Sequence, residues 1–534
     1  MLHATAPTLF RSTDTAQILD DPVNEDWLAV VHALVGPGWD AFARRYHLAL
    51  SCFRRRPRRG PAVGQIEIEA AGRAAAEQVL LREVFVAGSR DEGDMFVAPG
   101  PEDREELPPS VADPSVAPPP WAVVLAGPGR PPLDGLCLLR AFLGAAAMGL
   151  SDSPTAVHAL LRSNPTFARQ CGFVGPGARK QPGERTSRAL PSLSVCEEFD
   201  EVMTRYGLWH AAQLEQVTAN IRSGAVELDG VVSFDTTHLE ANSGCRSVAP
   251  DNDDGSRATR RKVSRLRKWC DCGKDAWRAC PHPWSQTDPG AGVVWKSRSR
   301  IYWAHKISIA ATGRTEVPLS AAVLTYAARH DGKTLLPHLD RLAEELPEVL
   351  QTACDAVADP AYIGLADAVA ERFGLVLRTG IVGRRARAGL AESYPGIDRF
   401  TPTGVPVCGA GEAFDFLGRD MTAGRFLWAA PLGPDGEPVC SGCPLAAACL
   451  AAGGRRRHLR LRREDFEQID WDRPQHQGRH RATYALRTGV ERAIKRLKID
   501  LGGEHLTRRG AVRVQAHIDR RMLVIHLLLA RPPT

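Results

Sequence analysis

No run of ~18 apolar residues occurs in the sequence, so no membrane-crossing helix is expected. The most apolar stretch near the C-terminus, Leu523–Ala530, is too short to span a bilayer and carries His526. The segment after Met1 lacks the basic start and apolar stretch of a secretory leader, and the expected compartment is the cytoplasm. There is no Gly-x4-Gly-Lys-Ser/Thr loop to cradle phosphates, so no nucleotide cofactor is expected. The Gly-x-Ser-x-Gly nucleophile elbow is missing too, which leaves Ser/His/Asp hydrolase chemistry without support. Internal repeats are also lacking.

What is present is an ordinary globular composition with an uneven charge distribution. The chain has 534 residues, 44% hydrophobic and 24% charged. A single core rarely grows past ~250–300 residues, so several domains are expected. The net charge of +6 is modest, but the cations are clustered. Basic runs occur at Arg54–Arg59, Arg257–Lys268, Arg384–Arg387, Arg455–Arg463 and Arg479–Arg481. Any one of these is readable as a solvated loop; together they favour a polyanionic partner. The 13 cysteines are odd in number and several are closely spaced, which points to thiolate sites and not to disulfides.

Residues 1–87 have modest helical periodicity and no readable role. Residues 88–120 form a linker, with Pro101, Pro108, Pro109, Pro114 and the run Pro118–Pro120 among acids. The span 121–228 is helical. Leu136, Leu139, Phe142 and Leu143 recur at helical spacing, Asp152-Ser153-Pro154 reads as a helix start, and Ser194–Tyr206 as a further helix. This is the expected DNA-binding domain, either a helix-turn-helix-like reader or a plain bundle. After Gly230 the texture becomes β-rich. Strands are expected at Val231–Asp235, Ile301–Ala311, Glu316–Thr325, Ala353–Asp359 and Leu375–Arg378, with helices at Leu335–Leu346 and Ala361–Phe373. This order resembles a ribonuclease H-like core, an α/β fold with a mixed five-stranded sheet and helices. It would occupy 229–534, interrupted by insertions at 240–300 and 381–475.

Two aspartates, Asp235 and Asp359, each end an expected strand, and neighbouring strand ends bring distant carboxylates together. Hard divalent cations take oxygen ligands of this kind, and a pair of them can serve an in-line phosphoryl displacement. Either aspartate alone reads more readily as a helix cap or turn residue. Asp355 is a rival to Asp359 but sits inside its strand. The third acid has a stronger pattern: Tyr484, Arg487, Glu491 and Lys498 are spaced by 3, 4 and 7 in a helical stretch, along one face. An amphipathic helix with an Arg487–Glu491 pair is the bland alternative.

These four residues match in type and spacing the Tyr-Arg-Glu-Lys signature of DDE transposases of bacterial insertion sequences, and the chain resembles that family over roughly 130–530. Ser233-Phe234-Asp235-Thr236-Thr237 is similar to its first-aspartate segment and Ala358-Asp359-Pro360-Ala361-Tyr362 to its second. His305-Lys306 and His330-Asp331 resemble further family positions. The resemblance implies catalytic acids Asp235, Asp359 and Glu491 holding two Mg²⁺ or Mn²⁺ ions. It also implies DNA contacts from Tyr484, Arg487, Lys498, His305 and Lys306. The enzyme would bind the terminal inverted repeats of its element in double-stranded DNA. Water would hydrolyse a phosphodiester and the freed 3′-hydroxyl would attack target DNA, with no covalent enzyme–DNA intermediate and with a homodimer holding both ends. The protein would be nucleoid-associated when DNA-bound. The insertion at 381–475 resembles the family's insertion domain, where Trp428 would either stack on a displaced base or fill a core. A catalytically silent DNA-binding derivative and a nuclease without strand transfer are the other readings.

Cys270, Cys272, Cys280 and His282 offer four ligands within a short span, a set suited to tetrahedral zinc. Cys440, Cys443 and Cys449, with Cys408 as a fourth, form a second cluster suited to zinc or to an iron–sulfur centre. Neither has an open coordination position, so both are expected to be structural.

Overall fold

The computed structural model describes residues 25–34, most of 39–50, 133–174, 187, 189–241, 245–247, 284–286, 288, 291–297, 300–324, 331–380, 394, 396–451, 453–466, 469–504 and 506–529. The linker 88–120, the cluster Cys270, Cys272, Cys280 and His282, and His330 lie outside the described residues.

The N-terminal helices are α1 (Glu25–Ala33), α2 (Gly135–Ala147), α3 (Pro154–Ser163), α4 (Pro165–Gln170), α5 (Leu193–Arg205) and α6 (Leu208–Arg222). Their starts are encoded locally. Asp134, Ser153, Asn164 and Ser192 each accept a first-turn backbone N–H, and proline opens α3 and α4. Tyr46, Phe142, Phe199 and Trp209 pack ring against ring inside this group.

This core is not closed by residues 121–228 alone, as a self-contained domain would be. The last helix among the described residues, named α13 below (Ala511–Leu529), contributes Val514, Ile518, Met522, Leu523 and Ile525 to it. Buried charges tie the two together. Asp152 takes Arg520 Nε at 2.6 Å and also pairs with Arg521, while Asp200 pairs with Arg520 and Arg508. The side chains of Asp152, Asp200, Arg520 and Arg521 are almost fully buried.

The β-rich part begins with β1 (Val231–Glu240). A short ribbon of β2 (Cys245–Ser247) and β3 (Trp284–Gln286) follows, then β4 (Gly292–Ser297), the long β5 (Arg300–Thr312) and β6 (Pro318–Val323). Next come α7 (Leu335–Glu345), α8 (Pro347–Thr352), β7 (Asp355–Val357), a 3₁₀ turn (Pro360–Leu365), α9 (Ala366–Phe373) and β8 (Val376–Arg378). The main sheet has six strands in the order β4-β5-β1-β7-β8, with β6 also on β5. Strand β4 pairs with the first part of β5 and β6 with the last, along one edge. At the level of Ser233 the order is therefore β6-β5-β1-β7-β8, antiparallel from β6 to β1 and parallel from β1 to β8. This is the ribonuclease H-like arrangement. Five of these strands are expected from the sequence, and the sixth, β4, comes from the insertion at 240–300.

The second insertion builds its own small core. Strands β9 (Ile397–Phe400) and β10 (Pro406–Cys408) pair with each other, and β11 (Asp415–Asp420), β12 (Arg425–Ala429) and β13 (His458–Arg462) form a three-stranded sheet. The short α10 (Ala446–Cys449) lies between β12 and β13. Phe426, Trp428, Leu459 and Leu461 fill the interior. Trp428 is 1% exposed, so it is a core residue with no free face for a displaced base.

The chain returns to the main sheet through α11 (Gly478–Ala485), α12 (Thr488–Lys495) and a π-helical turn (Arg496–Asp500) before α13. The expected single helix through Tyr484, Arg487, Glu491 and Lys498 is thus three segments. Gly489, near the start of α12, lies against the turn joining β5 to β6. A Cβ there would stand 2.5 Å from the Gly313 carbonyl oxygen and 2.8 Å from that of Thr312. That close approach admits only glycine and fixes where α12 meets the sheet.

Candidate active site

Strand β1 pairs with β7 only over Val231–Ser233. Asp235 lies just past this, where its parallel neighbour has turned away. The expectation that β1 ends at Asp235 is corrected: β5 extends the antiparallel pairing from Thr236 opposite Ser308 to Glu240 opposite Ala304. The polar residues after Asp235 hide this extension in the sequence. Asp359 follows β7 and caps the 3₁₀ turn, accepting the Ala361 N–H at 2.7 Å. Being a cap does not remove it from the site, because its charge reaches Asp235.

Asp235 is the electrostatic centre. Burial pushes its carboxyl up to about 6, the carboxylates of Asp359 and Glu491 push the same way, and the Thr236 N–H and Arg487 oppose them. Three acids far apart in sequence therefore share one electrostatic neighbourhood. Glu491 stands on α12, 46% exposed, and pairs with Arg487 at 2.7 Å, so the i,i+4 pair is realised within the site. The Arg487 guanidinium also lies 5.9 Å from the centre of the Tyr484 ring. Tyr484 stacks on His480 and accepts a hydrogen bond from the Gly380 N–H, and burial raises its phenol. Lys498 donates to the His238 carbonyl at 2.9 Å and pairs with Glu504 at 3.3 Å, which docks the π-helical turn on β1.

Two expected DNA contacts are corrected by burial. His305 is 0% exposed and bonds Asp288 at 2.8 Å, and the other carboxylate oxygen of Asp288 accepts the Gly510 N–H. Lys306 is buried and forms an ion pair with Asp331. Neither side chain has surface to offer a phosphate. The rival Asp355 is likewise committed to structure, binding Arg378 at 2.8 Å and Arg473 at 3.4 Å.

The chemistry of the acid set fits a hard divalent cation. Asp235, Asp359 and Glu491 supply only oxygen donors; burial is the main cause of the raised Asp235, the charges of Asp359 and Glu491 add to it, and a divalent cation would relieve that repulsion. Among the described residues, no three His, Cys, Asp or Glu side chains yet stand close enough to hold a metal ion. Glu491 is turned to Arg487.

The cysteines of the second cluster lie on neighbouring loops of the insertion and do not stand close enough to form a metal site. Cys408 ends β10, Cys440 lies in a 3₁₀ turn that Cys443 closes, and Cys449 ends α10. Cys443 Sγ accepts the Leu445 N–H at 3.4 Å. A Cβ on Gly396 would lie 3.3 Å from Cys449 Sγ, and one on Gly409 would lie 3.3 Å from Leu445 Cδ1, so the loops carrying Cys408, Cys443 and Cys449 are in contact. All four are free thiols.

Sequence reasoning passed over the polar network beneath Asp235, formed by Thr236, Lys306, Asp331, Thr334 and Tyr362. Only the resemblance had touched Lys306 and Asp331, without a structural role. The partners come from β1, β5, the turn before α7 and the 3₁₀ turn, and no spacing in the sequence marks them as neighbours.

No curated protein matches the chain. Residues 436–527, a span holding Tyr484, Arg487, Glu491 and Lys498 as well as Cys440, Cys443 and Cys449, match the family model of the transposase DDE domain.

Proposed function

We propose that the protein is a DNA transposase that binds the terminal inverted repeats of an insertion sequence and cuts and joins DNA at Asp235, Asp359 and Glu491. One observation carries the reading: Glu491, inside the span that matches a transposase DDE domain, acts electrostatically on Asp235, which also feels Asp359 from the turn just after the neighbouring strand of a ribonuclease H-like sheet. The three carboxylates would hold Mg²⁺ or Mn²⁺. Bound there, two such ions supply Lewis acidity for hydrolysis of a phosphodiester and for attack by the freed 3′-hydroxyl. Arg487 compensates Glu491 in the free protein and turns to a DNA phosphate in the complex. Tyr484, with its phenol protonated and tied to Gly380, contacts backbone and is not a nucleophile. Lys498 keeps the segment after Glu491 docked on β1. Synapsis of two ends calls for a homodimer on DNA. The cysteines Cys408, Cys440, Cys443 and Cys449 would hold a structural zinc ion that braces the insertion, and Cys270, Cys272, Cys280 and His282 a second.

The test is cleavage of a labelled duplex carrying the flanking element's terminal repeat, with Mg²⁺ or Mn²⁺, by the wild type and by Glu491→Gln. Metal-dependent nicking at the repeat boundary, lost by orders of magnitude in the variant, supports the reading. Tight binding without a cut by either protein would move the assignment to a silent DNA-binding derivative. A cut that survives Glu491→Gln would remove Glu491 from the catalytic set.

A further inference from the structure

The acid Asp331 has no part in the proposed catalytic set, yet it lies one residue's reach from Asp235. It opens the 3₁₀ turn Asp331–Lys333 that precedes α7. One carboxylate oxygen, Oδ1, accepts the Thr236 hydroxyl at 2.5 Å, and the same oxygen meets the Lys306 ammonium. The Lys306 side chain is 5% exposed, and a cation so placed on β5 needs a counter-charge. Burial opposes ionisation of Asp331, but the hydrogen bonds from Lys306 and Thr236 outweigh it and hold the carboxyl below its ordinary value.

Thr236 passes this anchoring to Asp235. Its backbone N–H donates to Asp235 Oδ1 at 2.7 Å. The hydroxyl of the same residue is fixed from the far side by Asp331. The anchor also reaches the second aspartate. The Asp331 carbonyl accepts the Thr334 hydroxyl at 2.7 Å, and that hydroxyl lies 3.3 Å from the Tyr362 hydroxyl. Tyr362 sits in the 3₁₀ turn that Asp359 caps, with its N–H on the Asp359 carbonyl at 3.3 Å. A continuous run of hydrogen bonds thus joins the backbone at Asp235 to the backbone at Asp359 through Asp331.

We propose that Asp331, charged against the buried Lys306, is a positioning residue that sets the Thr236 peptide and hydroxyl, and through them the orientation of the Asp235 carboxylate for a divalent cation. The inference rests on the metal-site reading above. Groups that orient a metal-ligating side chain commonly contribute ~10–100-fold in metal affinity.

The test uses the full chain and reads Mn²⁺ affinity, duplex binding and cleavage separately. Thr236→Val removes the hydroxyl with little change of shape and leaves the Lys306–Asp331 pair intact. It is expected to weaken Mn²⁺ binding about 10-fold and to slow cleavage at limiting metal. Duplex affinity without metal and melting temperature should stay unchanged. Thr236→Ser restores the hydroxyl and should return affinity to within about 2-fold of wild type, a rescue that a purely structural role would not give. Asp331→Ala is expected to weaken Mn²⁺ in an otherwise unaltered chain but to add little in the Thr236→Val background, because it acts through Thr236. Should Asp331→Ala fail to fold, the Val and Ser pair still decides. Wild-type Mn²⁺ affinity in Thr236→Val, with Glu491→Gln weakened, overturns the role of Asp331 and leaves the metal site standing. No Mn²⁺ binding by the wild type instead overturns the metal-site reading itself.

Discussion

Replacing Gly489 by alanine inverts the usual effect of that exchange. In a helix open to solvent, alanine is favoured over glycine by about 1 kcal/mol. Here the new Cβ would meet two carbonyl oxygens of the turn between β5 and β6, at 2.5 and 2.8 Å. Those oxygens belong to backbone and cannot swing aside as a side-chain tip can. Bringing the shorter contact to a tolerable 3.0 Å moves α12 away from the sheet by about half an ångström, and overpacking of this kind costs about 1–3 kcal/mol. Glu491 is two residues further along the same helix and moves with it. Displacement of a catalytic group by ~1 Å can cost ~100-fold in rate, so a loss of about 10–100-fold in cleavage is expected. Chemical denaturation followed by circular dichroism, and cleavage of the repeat duplex at saturating Mg²⁺, measure the two effects. A variant as stable as wild type that cuts at the wild-type rate would refute the geometry argued for α12.

Three further outcomes follow from the charges and thiols. In Asp152→Ala the buried Arg520 and Arg521 lose their shared carboxylate, which should cost about 3–5 kcal/mol in urea unfolding, and a loss under about 1 kcal/mol would mean that both guanidinium groups find other partners. Asp235, raised to about 6, keeps in the folded metal-free protein a proton that the unfolded chain releases near 3.8. Its contribution to stability is therefore full below about pH 4 and lost as pH rises through about 6, a slope that Asp235→Asn should abolish and added Mg²⁺ should offset at neutral pH; identical melting–pH curves for the two proteins would count against it. Replacing Cys440 and Cys443 together by serine should remove about one equivalent of zinc from purified protein by elemental analysis while leaving the main sheet folded, and unchanged metal content would dismiss the second cluster.

The strands of the sheet are legible where apolar, β-branched residues run nearly unbroken, as in Val231–Phe234 and Ile307–Ala311, and illegible where a partner strand supplies the reason to be extended. Residues 236–240 are polar enough to read as loop, and only the long β5 makes them strand. Asp359 was ambiguous because Pro360 after an acid is both a turn signal and a strand end, and it turned out to be a cap in the site's electrostatic reach. The break between α11 and α12 had a local sign in Thr488-Gly489, masked by the regular spacing of Tyr484, Arg487 and Glu491. The burial of His305 and Lys306 is illegible because their partners, Asp288 and Asp331, come from other segments, and a buried hydrogen bond or ion pair leaves no periodic trace.

The C-terminal helix carries a consequence for how the chain is made. Asp152 and Arg521 are separated by 369 positions, and the helical core that contains Val30, Leu34, Phe42 and Tyr46 is completed by side chains from α13. During synthesis at ~5–20 residues per second, the first helices wait for tens of seconds beside the ribosome with an apolar face uncovered. Contacts of such long range also slow refolding of the finished chain. A ribosome that stops short of α13 leaves a product that cannot close its first core, so synthesis of α13 and closure of that core are one event.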